Sequence, residues 1–243
     1  METPEQTPKS IPRRYRASLC SKVSYRRAGP KVDLKGLPLV DARDGPPPWE
    51  NLVPPGRPVE LEVGPGKGRF LLEAARARPG VFFLGVEAAF PYATYTADRL
   101  KRAGLENALV VLDDATLFLE EAVPDRALQA LHVYFPDPWP KRRHRKRRFF
   151  RPAVLPLLHR VLAPEGRLFV STDATAYFGE ILALLGTSPF FERLAELEAE
   201  GALPPEEAFG PTNFETKYRR EGRPIHKAAW RPMHLPCIPP GKG

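Results

Sequence analysis

Cysteine is nearly missing from this chain: Cys20 and Cys237 are the only two in 243 residues, near opposite ends and outside any CxxC spacing. That excludes a disulfide framework and the common zinc sites, and it suits a reducing compartment. No stretch approaches the roughly 18 apolar residues of a membrane span. Met1 to Lys9 is polar and holds no apolar signal core. The expectation is therefore a cytoplasmic protein with no metal and no membrane partner. Methionine, asparagine and glutamine are also scarce, while arginine, proline, leucine and alanine abound. A hot habitat produces the first bias, and a GC-rich genome produces it without heat.

What the chain has is enough apolar material for a core, 42%, and a formal net charge of +8. The length fits one sizeable α/β domain, alone or with an arm. A basic balance favours an acidic partner, of which nucleic acid is the commonest, although a soluble enzyme can be basic without one.

Residues 1–56 read as a basic, Pro-rich N-terminal arm, with Pro46, Pro47, Pro48, Pro54 and Pro55 and no long apolar period. Its early cluster of Arg13, Arg14, Tyr15, Arg16, Tyr25, Arg26 and Arg27 suits either an RNA-contacting arm or an unstructured leader. Residues 57–235 read as the main domain and 236–243 as a tail. Within the domain, apolar strands are expected at 59–63, 81–86, 108–112, 128–135 and 167–172. Helices are expected at about 67–77, 91–103, 149–162 and 175–185. Strands separated by helices of this length imply a mostly parallel sheet covered on both faces. Residues 191–197 and 225–230 are further strand candidates, the second as an antiparallel edge.

The turn after the first of these strands reads Glu62-Val-Gly64-Pro-Gly66-Lys-Gly68. Glycines between a strand and a helix let backbone N–H groups approach a ligand, although an ordinary tight turn has the same composition. Glu87 closes the second strand, where a carboxylate can accept from both ribose hydroxyls of an adenosine ligand. Asp114 follows the third strand, where a carboxylate can meet the adenine amine. Each acid alone could be a solvated strand end. Spacing does not separate NAD(P) from S-adenosylmethionine, but charge does favour one. Glu62 beside the turn would repel a pyrophosphate and suits a cofactor carrying an ammonium and a sulfonium.

Phe135-Pro-Asp137-Pro-Trp139-Pro140 ends the fourth strand. Three prolines fix the backbone and hold an acid and an aromatic at the sheet edge, or simply make a rigid turn. Lys141 to Arg148 follows, seven of its eight residues being Lys or Arg with no acid among them. Such a run beside a candidate site reads as a phosphate-backbone contact rather than a solvated face. Asp173 follows the fifth strand. Thr212-Asn213-Phe214-Glu215 offers donors, acceptors and an aromatic face for a base, and Thr212 with Glu215 also fits a helix capping box.

Together these residues resemble the tRNA (guanine-N7-)-methyltransferase family of the bacterial TrmB type. The resemblance rests on ELEVGPGKGRF, FLGVEAAF, the DA at Asp114, FPDPWPKRRHRKRR, STDATAYF and TNFETKYRREGRPIHKAAW, and covers about residues 59–231. It implies a Rossmann-like class I S-adenosylmethionine-dependent fold with a seven-stranded, mostly parallel sheet. The implied substrate is the guanine at conventional position 46, in the tRNA variable loop. It implies cofactor contacts from Glu62, Gly64, Gly66, Gly68, Glu87, Asp114 and Asp137, with Asp137 also catalytic. It assigns Lys141, Asp173, Thr212, Asn213, Phe214 and Glu215 to substrate, and Arg143, His144, Arg145, Lys146, Arg147 and Arg148 to RNA. Pro140 stands where some members have histidine, so that position carries no chemistry here, and the arm matches no family segment. A monomer is expected because no apolar interface stripe is visible, a homodimer being the alternative. The rival readings are a non-catalytic RNA-binding protein on the same fold, a nucleotide-dependent oxidoreductase, and a methyltransferase for another RNA.

Overall fold

The computed structural model describes residues 36–199 and 211–234. The basic cluster at 13–27, both cysteines, the acidic residues before Pro211 and the 236–243 tail lie outside the described residues. The elements in chain order are β1 (Leu39–Asp41), α1 (Trp49–Leu52), β2 (Val59–Val63), α2 (Arg69–Ala77), β3 (Phe82–Glu87) and α3 (Phe90–Arg102). β4 (Ala108–Leu112), α4 (Ala115–Glu121) and β5 (Leu128–Tyr134) follow. A 3₁₀ helix (Arg142–Arg147) and a shorter one (Pro152–Val154) lead into α5 (Leu155–Val161) and β6 (Leu162–Thr172). α6 (Thr175–Gly186), β7 (Phe191–Arg193), α7 (Ala195–Ala199), α8 (Asn213–Arg220) and β8 (His226–Pro232) complete the described chain.

The strands form one sheet in the order β1-β4-β3-β2-β5-β6-β8-β7. β1 to β6 run parallel, and β8 runs antiparallel to both its neighbours. From β2 the chain builds outward through β3 and β4, then returns to build the other way through β5 and β6. The order therefore reverses between β2 and β5, and ligands of open α/β sheets bind at the carboxyl ends beside such a reversal. This is the Rossmann-like class I arrangement that the resemblance implies. Both faces are covered, as an all-buried β3 requires. One apolar cluster joins Leu61, Leu131 and Val170 to α4, α5 and α6, and the other joins Phe83, Val110 and Tyr134 to α2 and α3.

Several boundaries differ from those read in the sequence. Among the described residues the sheet has eight strands rather than seven, because Leu39–Asp41, within the stretch read as an arm, pairs in parallel with Val110–Leu112 of β4. Leu52 and Val53 are likewise buried in the core. A three-residue strand has no period of its own and exists only through its partner. β7 ends at Arg193, and the following Ala-Glu-Leu-Glu-Ala turns helical, in line with those residues' helix preference. β8 is an inner strand, with β7 outside it. α4 is too short for a helical period to reveal, and it starts because Asp114 caps it: Oδ1 accepts from the amides of Thr116 and Leu117 at 2.8 and 3.2 Å.

Gly68 shows why the turn needs its last glycine. It sits at φ +66°, and a Cβ there would lie 2.2 Å from Thr96 Cγ2 of α3. Gly68→Ala should cost about 2–4 kcal/mol, from left-handed strain plus overpacking. Denaturant unfolding of the variant, with and without Thr96→Ala to relieve the clash, checks this. An unchanged midpoint for the single variant would contradict it.

Candidate active site

A cavity of about 840 Å³ opens at the carboxyl ends of β2, β3, β4 and β5. Two acids, Glu62 and Glu87, are buried in its lining. Glu62 is 5% exposed, and its Oε2 has no hydrogen-bond partner. Burial, then the nearby Glu87 charge, pushes its carboxyl up to about 8, against a hydrogen bond from the Leu71 amide. Glu87 accepts from the Gly66 amide at 3.0 Å and the Ala89 amide at 2.8 Å. Burial raises its pKa despite those bonds, with the Asp137 charge adding to the rise. Gly66, at φ +55°, makes this close backbone approach possible. Asp114 also lines the cavity, and its helix cap engages only Oδ1. Three bases, Lys67, Arg147 and Lys217, are exposed in the lining, with Asp137 the exposed acid among them. Buried acids suit a cation inside, and exposed bases suit a polyanion at the mouth.

Behind these acids, on the same face of the sheet, lies a closed polar array. Arg78 donates twice to Glu60, at 2.7 and 2.6 Å. Burial alone would raise the Glu60 carboxyl, but its bonds to His132 and Arg78 outweigh burial and hold it near 2. Burial lowers the His132 pKa, against its bond to Glu60. His132 donates from Nε2 to Glu60 at 2.9 Å and accepts at Nδ1 from the Tyr134 hydroxyl at 2.8 Å. This array satisfies buried groups and leaves the cavity acids to a ligand.

The proline loop carries the exposed Asp137 into the cavity. Two bulky residues in it hold left-handed backbone, Phe135 at φ 51° and Trp139 at φ 37°. Such conformations cost about 1–3 kcal/mol each and persist where the surroundings enforce them, commonly at functional sites. The Arg147 guanidinium lies 5.0 Å from the Trp139 ring centroid, and the His144 ring meets Trp139 edge-on at 5.7 Å. Opposite, Phe214 stands 46% exposed, 3.8 Å from where a Cβ on Gly66 would be. Phe135, Phe214 and Tyr218 form an aromatic trio with centroids 5.5–6.0 Å apart.

Glu62, Gly64, Gly66, Glu87, Asp114, Asp137, Thr212, Asn213 and Phe214 are thus brought to one cavity, together with Arg147 and Arg148. The others stand elsewhere. Gly68 packs against Thr96. Glu215 is fully buried, holding Arg219 of its own helix at 3.0 Å and Lys227 of β8 at 3.2 Å. Thr212 caps α8 by accepting from the Glu215 amide at 3.0 Å. Asp173 is ion-paired at 2.9 Å to Arg223, whose guanidinium carbon lies 4.6 Å from the Tyr218 ring centroid. Lys141, Arg143, Arg145 and Lys146 are exposed and His144 half-buried, all beside the cavity rather than in it.

The family described as "Putative methyltransferase" matches residues 56–228. A tRNA (guanine-N(7)-)-methyltransferase of Chromohalobacter salexigens is 34% identical, over 78% of this chain and 76% of the relative. The Myxococcus xanthus enzyme of the same name is 36% identical, over 79% of this chain and 92% of its own. The chain belongs to the tRNA (guanine-N7-)-methyltransferase family.

Among solved structures, an S-adenosylmethionine-dependent O-methyltransferase of Thermotoga maritima aligns with 74% of this chain and 60% of its own, at TM-score 0.49 and 17% identity. That likeness is too distant to bear on function. As a member of the methyltransferase family, the chain adds contacts that its sequence did not announce. Tyr92, 48% exposed on α3, lines the cavity, and so does Tyr134. Arg223, in the α8–β8 turn and over the ring of Tyr218 of α8, braces Asp173. Nothing in the order of residues links positions 173 and 223, and only the antiparallel return of β8 along β6 brings them together. No group of His, Cys, Asp and Glu among the described residues could hold a metal, and no helix among them is long and apolar enough to cross a membrane.

Proposed function

We propose that this protein transfers a methyl group from S-adenosylmethionine to N7 of the variable-loop guanine of tRNA, in the cytoplasm and as a monomer. The observation that carries the reading is the pairing of buried, unsatisfied acid with exposed base around one cavity. Glu62 has a buried carboxyl oxygen without a partner, Glu87 is buried within reach of the Asp137 charge, and neither arrangement favours a pyrophosphate. Both fit a ligand with an ammonium and a sulfonium. Glu62, Gly64, Gly66, Glu87 and Asp114 would hold it. When bound, the cofactor supplies a methyl group already activated on sulfur.

Guanine N7 has an in-plane lone pair, so no side chain has to act as a base. The chain's task is alignment, which can supply about 7–11 kcal/mol in favourable cases. Methylation leaves positive charge on the guanine ring. Asp137, exposed in the cavity on a fixed loop, is placed to stabilise that charge as it develops. The Phe135, Phe214 and Tyr218 cluster gives the base a stacking surface, and the exposed arginines of the 3₁₀ helix give the tRNA backbone its counter-charge.

Glu62 provides a direct test of the cofactor. In the free folded protein its carboxyl is protonated up to about 8, whereas the unfolded chain ionises it near 4.5. Between those values the folded state holds the extra proton, so Glu62 lowers stability as pH rises through that window. A cationic ligand needs the carboxylate. Affinity for S-adenosylmethionine should therefore rise with pH, by up to about tenfold per unit, and level off near 8. Calorimetry across that range, with wild type and Glu62→Gln, measures it. Proton release in the wild type only is expected. A flat profile, or tighter binding of NAD(P), would defeat the reading.

A further inference from the structure

The last arginine of the basic run differs from the rest in surroundings. Arg142, Arg143, Arg145, Lys146 and Arg147 are exposed, whereas Arg148 is 6% exposed. Its Nε donates to the Pro138 carbonyl at 2.7 Å, and its Nη2 reaches the Trp139 carbonyl at 3.5 Å. Its Nη1 pairs with Glu180 of α6, and its guanidinium carbon lies 4.5 Å from the Tyr177 ring centroid. Tyr177 is itself fixed, its hydroxyl accepting from the Phe150 amide at 3.3 Å. The planar fork and its face are thus both engaged by protein, and none of these partners is a phosphate.

Those carbonyls belong to the two residues that follow Asp137. Arg148 therefore closes residues 138–148 into a loop whose outer side is the basic 3₁₀ helix. Trp139 would not hold φ 37° unaided, and its ring carries Arg147 from that same helix. A fork with two donors on two successive carbonyls fixes both orientation and distance, which an ammonium cannot do.

We propose that Arg148 is a positioning residue. It holds the Pro138–Trp139 backbone so that Asp137 meets the target guanine, it ties the phosphate-binding helix to that loop, and it does not contact RNA. This rests on the methyl-transfer reading above. Wild-type protein without transfer would fail that reading, while the comparisons below concern Arg148 alone.

The experiment measures single-turnover methyl transfer per cofactor-binding site, counted by calorimetry, alongside tRNA affinity at several salt concentrations. Arg148→Lys keeps the charge and loses the fork. Its rate per site should fall about 10–100-fold, as a misplacement of about 1 Å does. Its salt slope should match wild type. Arg143→Gln, on the exposed side of the same run, should instead lower the slope by roughly 0.7–0.9. A normal rate per site for Arg148→Lys, or a salt slope reduced like that of Arg143→Gln, overturns the proposal. A purely structural role would lower the number of cofactor-binding sites and leave the rate at each unchanged, which also overturns it. If Arg148→Lys does not fold, Glu180→Ala decides, since it removes the outer partner of the fork from an exposed helix face. A severalfold lower rate per site is expected, and an unchanged rate overturns the proposal.

Discussion

Asp137→Ala should lower turnover by about 10²–10³-fold, the usual cost of removing one group aimed at developing charge, while S-adenosylmethionine affinity changes only a few-fold. The split follows from where the acid stands. Glu62 and Glu87 are buried, and Gly66 and Ala89 donate to Glu87, so the cofactor side of the cavity is built without Asp137. Asp137 is exposed on a loop beyond them, within electrostatic reach of both Glu87 and Tyr218. It lines the cavity together with Glu62, Glu87, Phe135 and Phe214, and the proposed reading puts the base between those acids and those rings. Asp137→Asn tests charge against shape: turnover should fall nearly as far, because an amide keeps the contacts and loses the counter-charge. Calorimetry and single-turnover rates separate the two quantities. Equal losses in affinity and rate would make Asp137 a cofactor ligand and remove it from the chemistry.

Neutralising Arg143, Arg145 and Arg147 together should weaken tRNA binding and flatten its dependence on salt. Each lost phosphate contact takes roughly 0.7–0.9 from the slope of log affinity against log salt. Three contacts make the wild type lose about 20–40-fold more affinity than the variant between about 50 and 200 mM salt. All three side chains are exposed on one 3₁₀ helix. Arg145 has one weak protein partner, Glu180 at 3.6 Å, and exposed pairs of that kind contribute little. Arg147 also stacks on Trp139, so its loss should affect rate as well as binding. An unchanged salt slope would mean that this helix faces away from RNA.

The features legible in the sequence were those made by neighbouring residues. The glycine turn after β2, the acids ending β3 and following β4, and the proline loop after β5 each combine a strand end with an unusual residue. Their meeting in one cavity follows from parallel strands that all end on one side. Features set by distant partners were not legible. β1 exists because β4 offers it an edge, and Gly68 is needed because Thr96 lies against it. Glu215 looked like a base-reading acid because it stands in a stretch dense in hydrogen-bonding groups, of which Thr212 to Phe214 do line the cavity. One turn of helix carries its side chain inward to Arg219 and Lys227 instead. Arg148 looked like its seven neighbours because composition does not register burial.

The most direct measurement pairs two tRNA transcripts, one with guanosine and one with 7-deazaguanosine at the variable-loop position. Each is incubated with the protein and labelled S-adenosylmethionine, then digested and mapped by mass spectrometry. Label as 7-methylguanosine at that position in the first transcript, and none in the second, is the expected result. Label in both, label elsewhere, or tight binding of tRNA without transfer would contradict methylation of this guanine at N7.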